Sequence, residues 1–357
     1  MNMQNKVVLL YGANGFTGQL IITELLALGI NPVLGGRNKA ELEILAEKHQ
    51  LDFRIFSLDT FDKIKAGIEN CFLVIHAAGP FKYTAQQMIE ACMDQGVHYM
   101  DITGEVDVFE FAASQNDIAT QKGLCIMPGT GFDVVPTDCA AKFLIEQLPD
   151  ATHLQLGFTT IGGLISRGTS LTMLESMDQK GMVREEGKLT EKPVGHKTML
   201  IPFKEGKSLF SMTIPWGDIS TAYRTTGIPN IETFTAIPPK TYDFLKWRKL
   251  FNPLLKLNFV KSIIRKKILS RPPGPDEQMR NKARSYVWGK VWNKQGDTQT
   301  VNLDLPEAYA LTAKTTALIA KKMVEGQVFQ GYQTPAGAYG ADLILEIESS
   351  KRIPGKS

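Results

Sequence analysis

Three observations predict an α/β protein of two sheets. Strand-like and helix-like runs alternate regularly through the first 150 residues. Gly12, Gly15 and Gly18 of "YGANGFTG" fall between the first strand-like run and the first helix-like run. Beyond residue 150 the apolar runs become short and β-rich, with few helices between them. The first two point to a Rossmann-type, doubly wound parallel sheet, and the third to a second α+β domain on a mixed sheet.

The elements follow in order. Residues 7–11, "VVLLY", read as a strand, and 16–28 as a helix carrying Leu20, Ile21, Leu25 and Leu28 at helical spacing. "NPVLGGR" (31–37) holds a second strand and 38–49 a helix, while "DFRIFSL" (52–58) alternates like a third strand. "CFLVIHAA" (71–78) is apolar almost throughout, as a strand covered on both faces should be. A helix over 84–94, a strand "VHYMDI" (97–102), a helix over 106–121 and a strand "LCIM" (124–127) complete the alternation. The second domain is expected from "HLQLGFTTI" (153–161), "KTMLIPF" (197–203), "LFSMTI" (209–214), "ETFTAI" (232–237), "SYVWGKVW" (285–292) and "TVNLDL" (300–305). A late helix is expected over 306–326, with proline at its start and glycine at its end, and "SRPPGPDE" (270–277) is a loop. The expected domains are therefore 1–150, 151–305 and a C-terminal segment, 306–357.

Bulk properties narrow the function. The formal charge of the 357 residues is +3, which gives no footprint for nucleic acid. Four cysteines stand apart with no C-x-x-C pair, so buried free thiols are expected and neither a disulfide nor a metal site is. No leader segment and no apolar run of membrane-spanning length is evident, so the expected location is the cytoplasm.

The glycine trio asks for a nucleotide. A parallel strand ends, the chain turns, and a helix begins with its amide hydrogens outward, ready for a pyrophosphate. A side chain at Gly15 is expected to fill the phosphate space and to resist a positive φ. Asn14, Phe16 and Thr17 belong to the same turn. A tight strand-to-helix turn without a ligand is the plainer alternative. At the end of the second strand an acid would suit NAD(H), but the sequence has Arg37, Asn38 and Lys39, which suit the 2′-phosphate of NADP(H). A solvated helix-start residue is the plainer alternative for Arg37. Asp59 lies where a side chain would meet the adenine amino group, or would cap the next helix. Ala78, Gly79 and Pro80 follow the fourth strand, small enough for a ribose or nicotinamide to approach. His76, still within that strand, reads as structural before it reads as a base.

Further motifs resemble the saccharopine dehydrogenase-like oxidoreductases. "GANGFTG" (12–18), "AAGPF" (77–81), "YMDITGE" (99–105) and "GTGFDVVPTD" (129–138) occur in that family's order and spacing. "SRGTSLTMLE" (166–175), "GPDEQMR" (274–280), "YALTAKTTALIA" (309–320) and "GYQTPAGAYGADLILE" (331–346) extend the likeness over nearly the whole chain. It is greatest to the branch that includes proteins named as trans-acting enoyl reductases. The resemblance implies an NADP-type domain, a sheet domain shaping a substrate cleft, and a C-terminal helix and tail returning to the domain interface.

Hydride transfer also needs a group that handles a proton. Tyr83, Glu105 and Asp133 are the candidates nearest the expected nicotinamide. Asp101, Thr103, Phe132 and Arg167 are candidate substrate residues, although Asp101, Thr103 and Glu105 equally suit the capping of the helix that follows. Lacking the Lys/His pair of a lysine-forming saccharopine enzyme, the chain is expected to reduce an acyl, enoyl or carbonyl compound. An imine or secondary-amine oxidoreductase and a non-catalytic NADP(H) sensor stay open. A homodimer through the second domain is a further expectation.

Residues 240–271 carry ten Lys or Arg and one acid, Asp243, while the rest of the chain holds 30 basic and 36 acidic residues. Aromatic and aliphatic residues interleave with the basic ones. A helical pair covering the second sheet accounts for this, and so does peripheral contact with a membrane or an acyl-carrier protein.

Overall fold

The structure, a computed structural model, describes residues 6–175, 180–246 and 258–354. The chain forms two compact units, Met1–Val135 with Tyr309–Ile347, and Pro136–Ala308 with Glu348–Ser357. The division falls before the helix "VPTDCAAKFLIEQ" and not near residue 150, because that helix packs with the second unit from Pro136 onward.

The first unit is a seven-stranded, all-parallel sheet. Its strands are β1 (Val8–Tyr11), β2 (Val33–Gly36), β3 (Phe53–Ile55), β4 (Leu73–His76), β5 (His98–Asp101), β6 (Cys125–Met127) and the late β15 (Gly331–Tyr332). They lie in the order β15-β6-β5-β4-β1-β2-β3. The strand order reverses at β1, which pairs with β2 on one side and β4 on the other. Ligands of such sheets bind outside the carboxyl ends at that reversal. Every residue of β1 and β4 is buried, which explains their unbroken apolar character. Helix α1 (Phe16–Ala27) buries Ile21, Ile22 and Leu25, as its spacing requires.

Two expectations change in detail. The helix expected over 106–121 is two, α5 (Val106–Ser114) and α6 (Asn116–Gln121). At the junction the Ser114 hydroxyl donates to the Phe111 carbonyl at 2.6 Å, a local bond that competes with the helical ladder. The strand expected over 52–58 is only Phe53–Ile55. The chain then leaves the sheet edge, with Phe56 packed on Tyr11 at 4.8 Å between ring centroids.

The late helix runs from Ala308 to Val324 and, from Tyr309 onward, belongs to the first unit. Its Thr312, Thr315 and Thr316 share one helical face and grip the loop after β6. Thr315 Oγ1 donates to the Thr130 carbonyl at 2.7 Å, and the Phe132 amide donates to Thr312 Oγ1 at 3.0 Å.

The second unit is a nine-stranded mixed sheet. β7 (His153–Ile161) runs parallel to β12 (Asn230–Ala236) and antiparallel to β13 (Arg284–Trp292). β13 forms a long hairpin with β14 (Thr298–Pro306). β10 (Thr198–Lys204) alternates as an edge strand should, with Ile201 and Phe203 buried and Leu200 exposed. A hairpin of β8 (Gly181–Glu185) and β9 (Lys188–Lys192) was not legible as strands, because "GMVREEGKLTEK" is charged and its burial is uneven. Glu186 and Gly187, both at positive φ, make its turn. All four cysteines are buried, and none forms a disulfide. No helix among the described residues is long and apolar enough to cross a membrane.

Candidate functional site

The carboxyl end of β1 is built around backbone contact. Gly12 has φ +88°, and a Cβ there would lie 2.8 Å from the Ala77 carbonyl carbon. A Cβ on Gly18 would lie 2.3 Å from the Gly12 oxygen. These two glycines are needed to pack β1, α1 and the end of β4 together. Gly15 differs from expectation. Its φ is −69°, an ordinary value, so no left-handed strain requires glycine there. A Cβ at Gly15 would meet only the Gly12 oxygen, at 3.2 Å, and the residue is exposed. Gly15 is also the N-cap of α1 and provides no side-chain cap, and the first turn carries no acid. The outward amides and the positive end of this twelve-residue helix fit a pyrophosphate.

Around this turn Asn14 is held by its side chain, which donates to Glu41 Oε2 at 2.6 Å. Phe16 meets the ring of Tyr309 edge-on at 5.3 Å. Thr17 lies in the first turn of α1.

Arg37 is exposed at the end of β2. Among the described residues it makes no hydrogen bond and no ion pair. It borders a cleft of about 550 Å³ that is also lined by Arg54, Phe56, Ser57 and Lys63. The other cations there are engaged. Arg54 donates to the carbonyls of Gly67 and Glu69 at 3.0 and 2.8 Å. Lys63 pairs with Asp59 at 3.0 Å. Arg37 therefore keeps its guanidinium for an anion, which fits the 2′-phosphate of NADP(H). Asn38 and Lys39 have local tasks instead. The Asn38 side chain accepts from the Glu41 amide as the N-cap of the next helix, and Lys39 pairs with Glu43 at 3.5 Å. Asp59 is not a cap either, since Thr60 holds that position. The Ser57 hydroxyl and Lys63 hold the Asp59 carboxyl below its ordinary range.

The end of β4 turns through Ala78, Gly79 and Pro80, with a cis Gly79–Pro80 bond. Thr84 Oγ1 donates to the Ala78 carbonyl at 2.9 Å. Glu105 clasps the next turn. Its Oε1 accepts from the Phe81 amide at 2.9 Å and its Oε2 from the Lys82 amide at 2.8 Å. Held at both oxygens, this carboxylate fixes the turn after β4. Tyr83 stands outside this clasp, 59% exposed, with Lys82 Nζ 4.7 Å from its ring centre.

Asp101 and Thr103 are also bonded within the fold. Asp101 Oδ2 accepts from Tyr99 Oη at 2.6 Å, and its Oδ1 accepts from the amides of Thr103 and Gly129 at 3.0 and 2.9 Å. Burial nonetheless pushes its carboxyl up to about 6, against the lowering effect of these donors. Thr103 Oγ1 accepts from the Glu105 amide at 3.1 Å and is fully buried. His76 lies opposite Asp101 in the sheet, with Nδ1 3.2 Å from Tyr99 Oη. Burial lowers its pKa to about 3, so it stays neutral in the core.

Asp133, like Glu105, keeps some exposed surface, and its carboxyl packs against Gly104, where an added Cβ would come within 2.7 Å of Oδ2. Burial, with the charge of Glu105 second, pushes it up to about 7. A group poised there holds a proton at neutral pH and releases it readily. Phe132 beside it is buried at 8% exposure. Arg167 belongs to the second unit, at the start of the helix Arg167–Glu175, where its amide donates to the Pro273 carbonyl at 2.9 Å. Among the described residues no cluster of His, Cys, Asp and Glu would hold a metal ion.

Residues 8–127 match the family model of the saccharopine dehydrogenase NADP-binding domain. These residues lie within the first unit. A saccharopine dehydrogenase-like oxidoreductase of Mus musculus is 26% identical over 203 residues, which cover 50% of this chain and 47% of the mouse protein. A lipid droplet localized protein of Caenorhabditis elegans is 25% identical over 208 residues, covering 52% of this chain and 49% of that protein. The chain thus spans about half the length of the curated relatives it matches. Apo saccharopine dehydrogenase (L-Glu forming) of Saccharomyces cerevisiae has the same fold, with a TM-score of 0.67 and 12% identity over 98% of this chain and 100% of that one.

Within the first unit, sequence reasoning missed Gly104, Tyr99 and the threonine grip on the loop after β6. The threonines had a readable signal in "LTAKTTA", three hydroxyls at helical spacing on one face. Gly104 had none, because its importance comes from the carboxyl packed against it.

Proposed function

We propose that the chain is an NADP(H)-dependent oxidoreductase that reduces an acyl, enoyl or carbonyl compound, with Asp133 as the proton donor. Gly15 and the uncapped start of α1 would hold the pyrophosphate, in a turn packed through Gly12 and Gly18, with Arg37 on the 2′-phosphate. Ala78, Gly79 and Pro80 would line the path toward the nicotinamide. Bound NADPH would supply the hydride. Asp133 would hold the matching proton beside Gly104, and Glu105 would fix the turn carrying Phe81 and Tyr83.

The observation that carries this reading is the place of Asp133, whose carboxyl packs against Gly104 in the loop after β6 and is pushed up to about 7 by burial. Delivery of an acyl substrate from a membrane or an acyl carrier is part of the same reading.

The test is NADPH oxidation against panels of enoyl thioesters, ketones and oxoacid-plus-amine pairs. Turnover of the first or second panel, lost in Asp133→Asn, is the expected result. Turnover confined to oxoacid-plus-amine pairs would favour an imine reductase. Tight NADPH binding with no turnover would make the protein a sensor.

A further inference from the structure

In the second unit, the helix Asn258–Leu269 presents two unlike faces. Val260, Ile264 and Ile268 recur at four-residue spacing and are half-buried or buried. On another face Phe259 and Ile263, one turn apart, are 72% and 51% exposed. Lys266 and Lys267 follow one turn later and are exposed as well. The helix is held to the helix Arg167–Glu175 by an ion pair, Arg265 to Glu175 at 2.8 Å. That neighbour and the chain just before it add Met173, Leu164 and Ile165, all more than half exposed.

We propose that this face of the helix Asn258–Leu269 is a docking surface for an anionic lipid membrane. Single exposed apolar residues are ordinary on proteins, but Phe259 and Ile263 are adjacent, project into solvent and are followed by lysines. That is the arrangement of interfacial helices, which sink apolar side chains below the headgroups and set cations against their charge. Residues 258–271 hold five Lys or Arg and no acid. The wider stretch 240–271 has ten bases to one acid, in a chain that is otherwise net acidic. Of that stretch, residues 247–257 lie outside the described residues, so the surface is defined by the helix alone. Charge complementarity selects an anionic surface, and the protruding phenylalanine selects one that apolar groups can enter. The surface is read independently of the reaction proposed above.

The test is co-sedimentation of the full chain with phosphatidylcholine vesicles, with and without phosphatidylglycerol. Binding is expected only to the anionic vesicles, and it should weaken as salt rises. Each lysine near such a surface contributes about fivefold, so Lys266→Gln with Lys267→Gln should weaken partitioning about thirtyfold. Phe259→Ser with Ile263→Ser should weaken it about tenfold or more. All four positions are solvent-facing, and unchanged circular dichroism and NADPH affinity would confirm intact variants. No sedimentation at low salt, or equal binding by the variants, overturns the proposal. So does capture by an acidic acyl-carrier protein with no vesicle binding, which would make the surface a protein-docking site.

Discussion

Glu105 and Phe81 are joined across two loops of the parallel sheet, the Glu105 Oε1 accepting the Phe81 amide proton at 2.9 Å. Its other oxygen accepts from Lys82 at 2.8 Å, so one carboxylate closes the turn after β4. In Glu105→Gln the new amide group would face one of these backbone donors. A buried donor without an acceptor costs about 1–3 kcal/mol. Urea denaturation should show that loss, while Glu105→Ala should lose at least as much. An unchanged midpoint in the glutamine variant would mean that the turn holds itself.

The three glycines should separate on substitution. Gly12→Ala and Gly18→Ala should unfold easily, because their new Cβ atoms would lie 2.8 and 2.3 Å from backbone atoms. Gly15→Ala should keep its melting temperature within a few degrees, since its φ is −69° and its Cβ has room to adjust. We expect it to weaken NADPH binding by about tenfold or more, on the reading that a pyrophosphate occupies that space. Normal NADPH affinity in a folded Gly15→Val protein would place the phosphates elsewhere.

Much of this arrangement was legible in the sequence because it rests on local rules. The buried strands β1 and β4 are continuous apolar runs, and Gly12 marks the turn that follows β1. What was not legible depends on contacts distant in sequence. Nothing near Glu105 announces that it holds the amides of residues 81 and 82, some 24 positions away. Asp101 reads as an exposed strand-end acid until Tyr99, Thr103 and Gly129 close on it. The motif letters place these residues at the edge of the sheet but do not reveal their contacts. The capping weighed for "DITGE" is not made by a side chain: Glu105 is the N-cap of α5 and forms no side-chain cap bond there.

Arg37 offers a charge with no partner among the described residues, beside the cleft at the end of β2. Arg37→Asp should lower NADPH affinity about ten- to hundredfold, the loss of a charge-assisted contact worth about 1.5–3 kcal/mol. NADH affinity should hold or rise, because the new carboxylate can accept the ribose hydroxyls. Isothermal titration with both cofactors measures the ratio. Equal NADPH affinity in the variant would remove Arg37 from the 2′-phosphate.

Asp133 makes both stability and turnover depend on pH, with a sign that follows from its raised pKa. The native carboxyl titrates at about 7, against 3.8 for the unperturbed group. Between those values the folded chain holds a proton that the unfolded chain has released. Stability from this residue therefore falls as pH rises from about 4 to about 7, and the full cost of a buried charge is present above 7. Asp133→Asn cannot ionise and should be more stable than the parent at pH 8. The gain should be about 1–2 kcal/mol, discounted because the residue keeps some exposed surface. At pH 4 the two proteins should differ little. Turnover of the parent should fall with rising pH as well. The parent should lose rate above pH 7 as the proton is released, and the asparagine variant should fall by about a hundredfold or more at every pH. A variant that gains stability at pH 8 but keeps full turnover would leave Asp133 as a buried acid with no part in the chemistry.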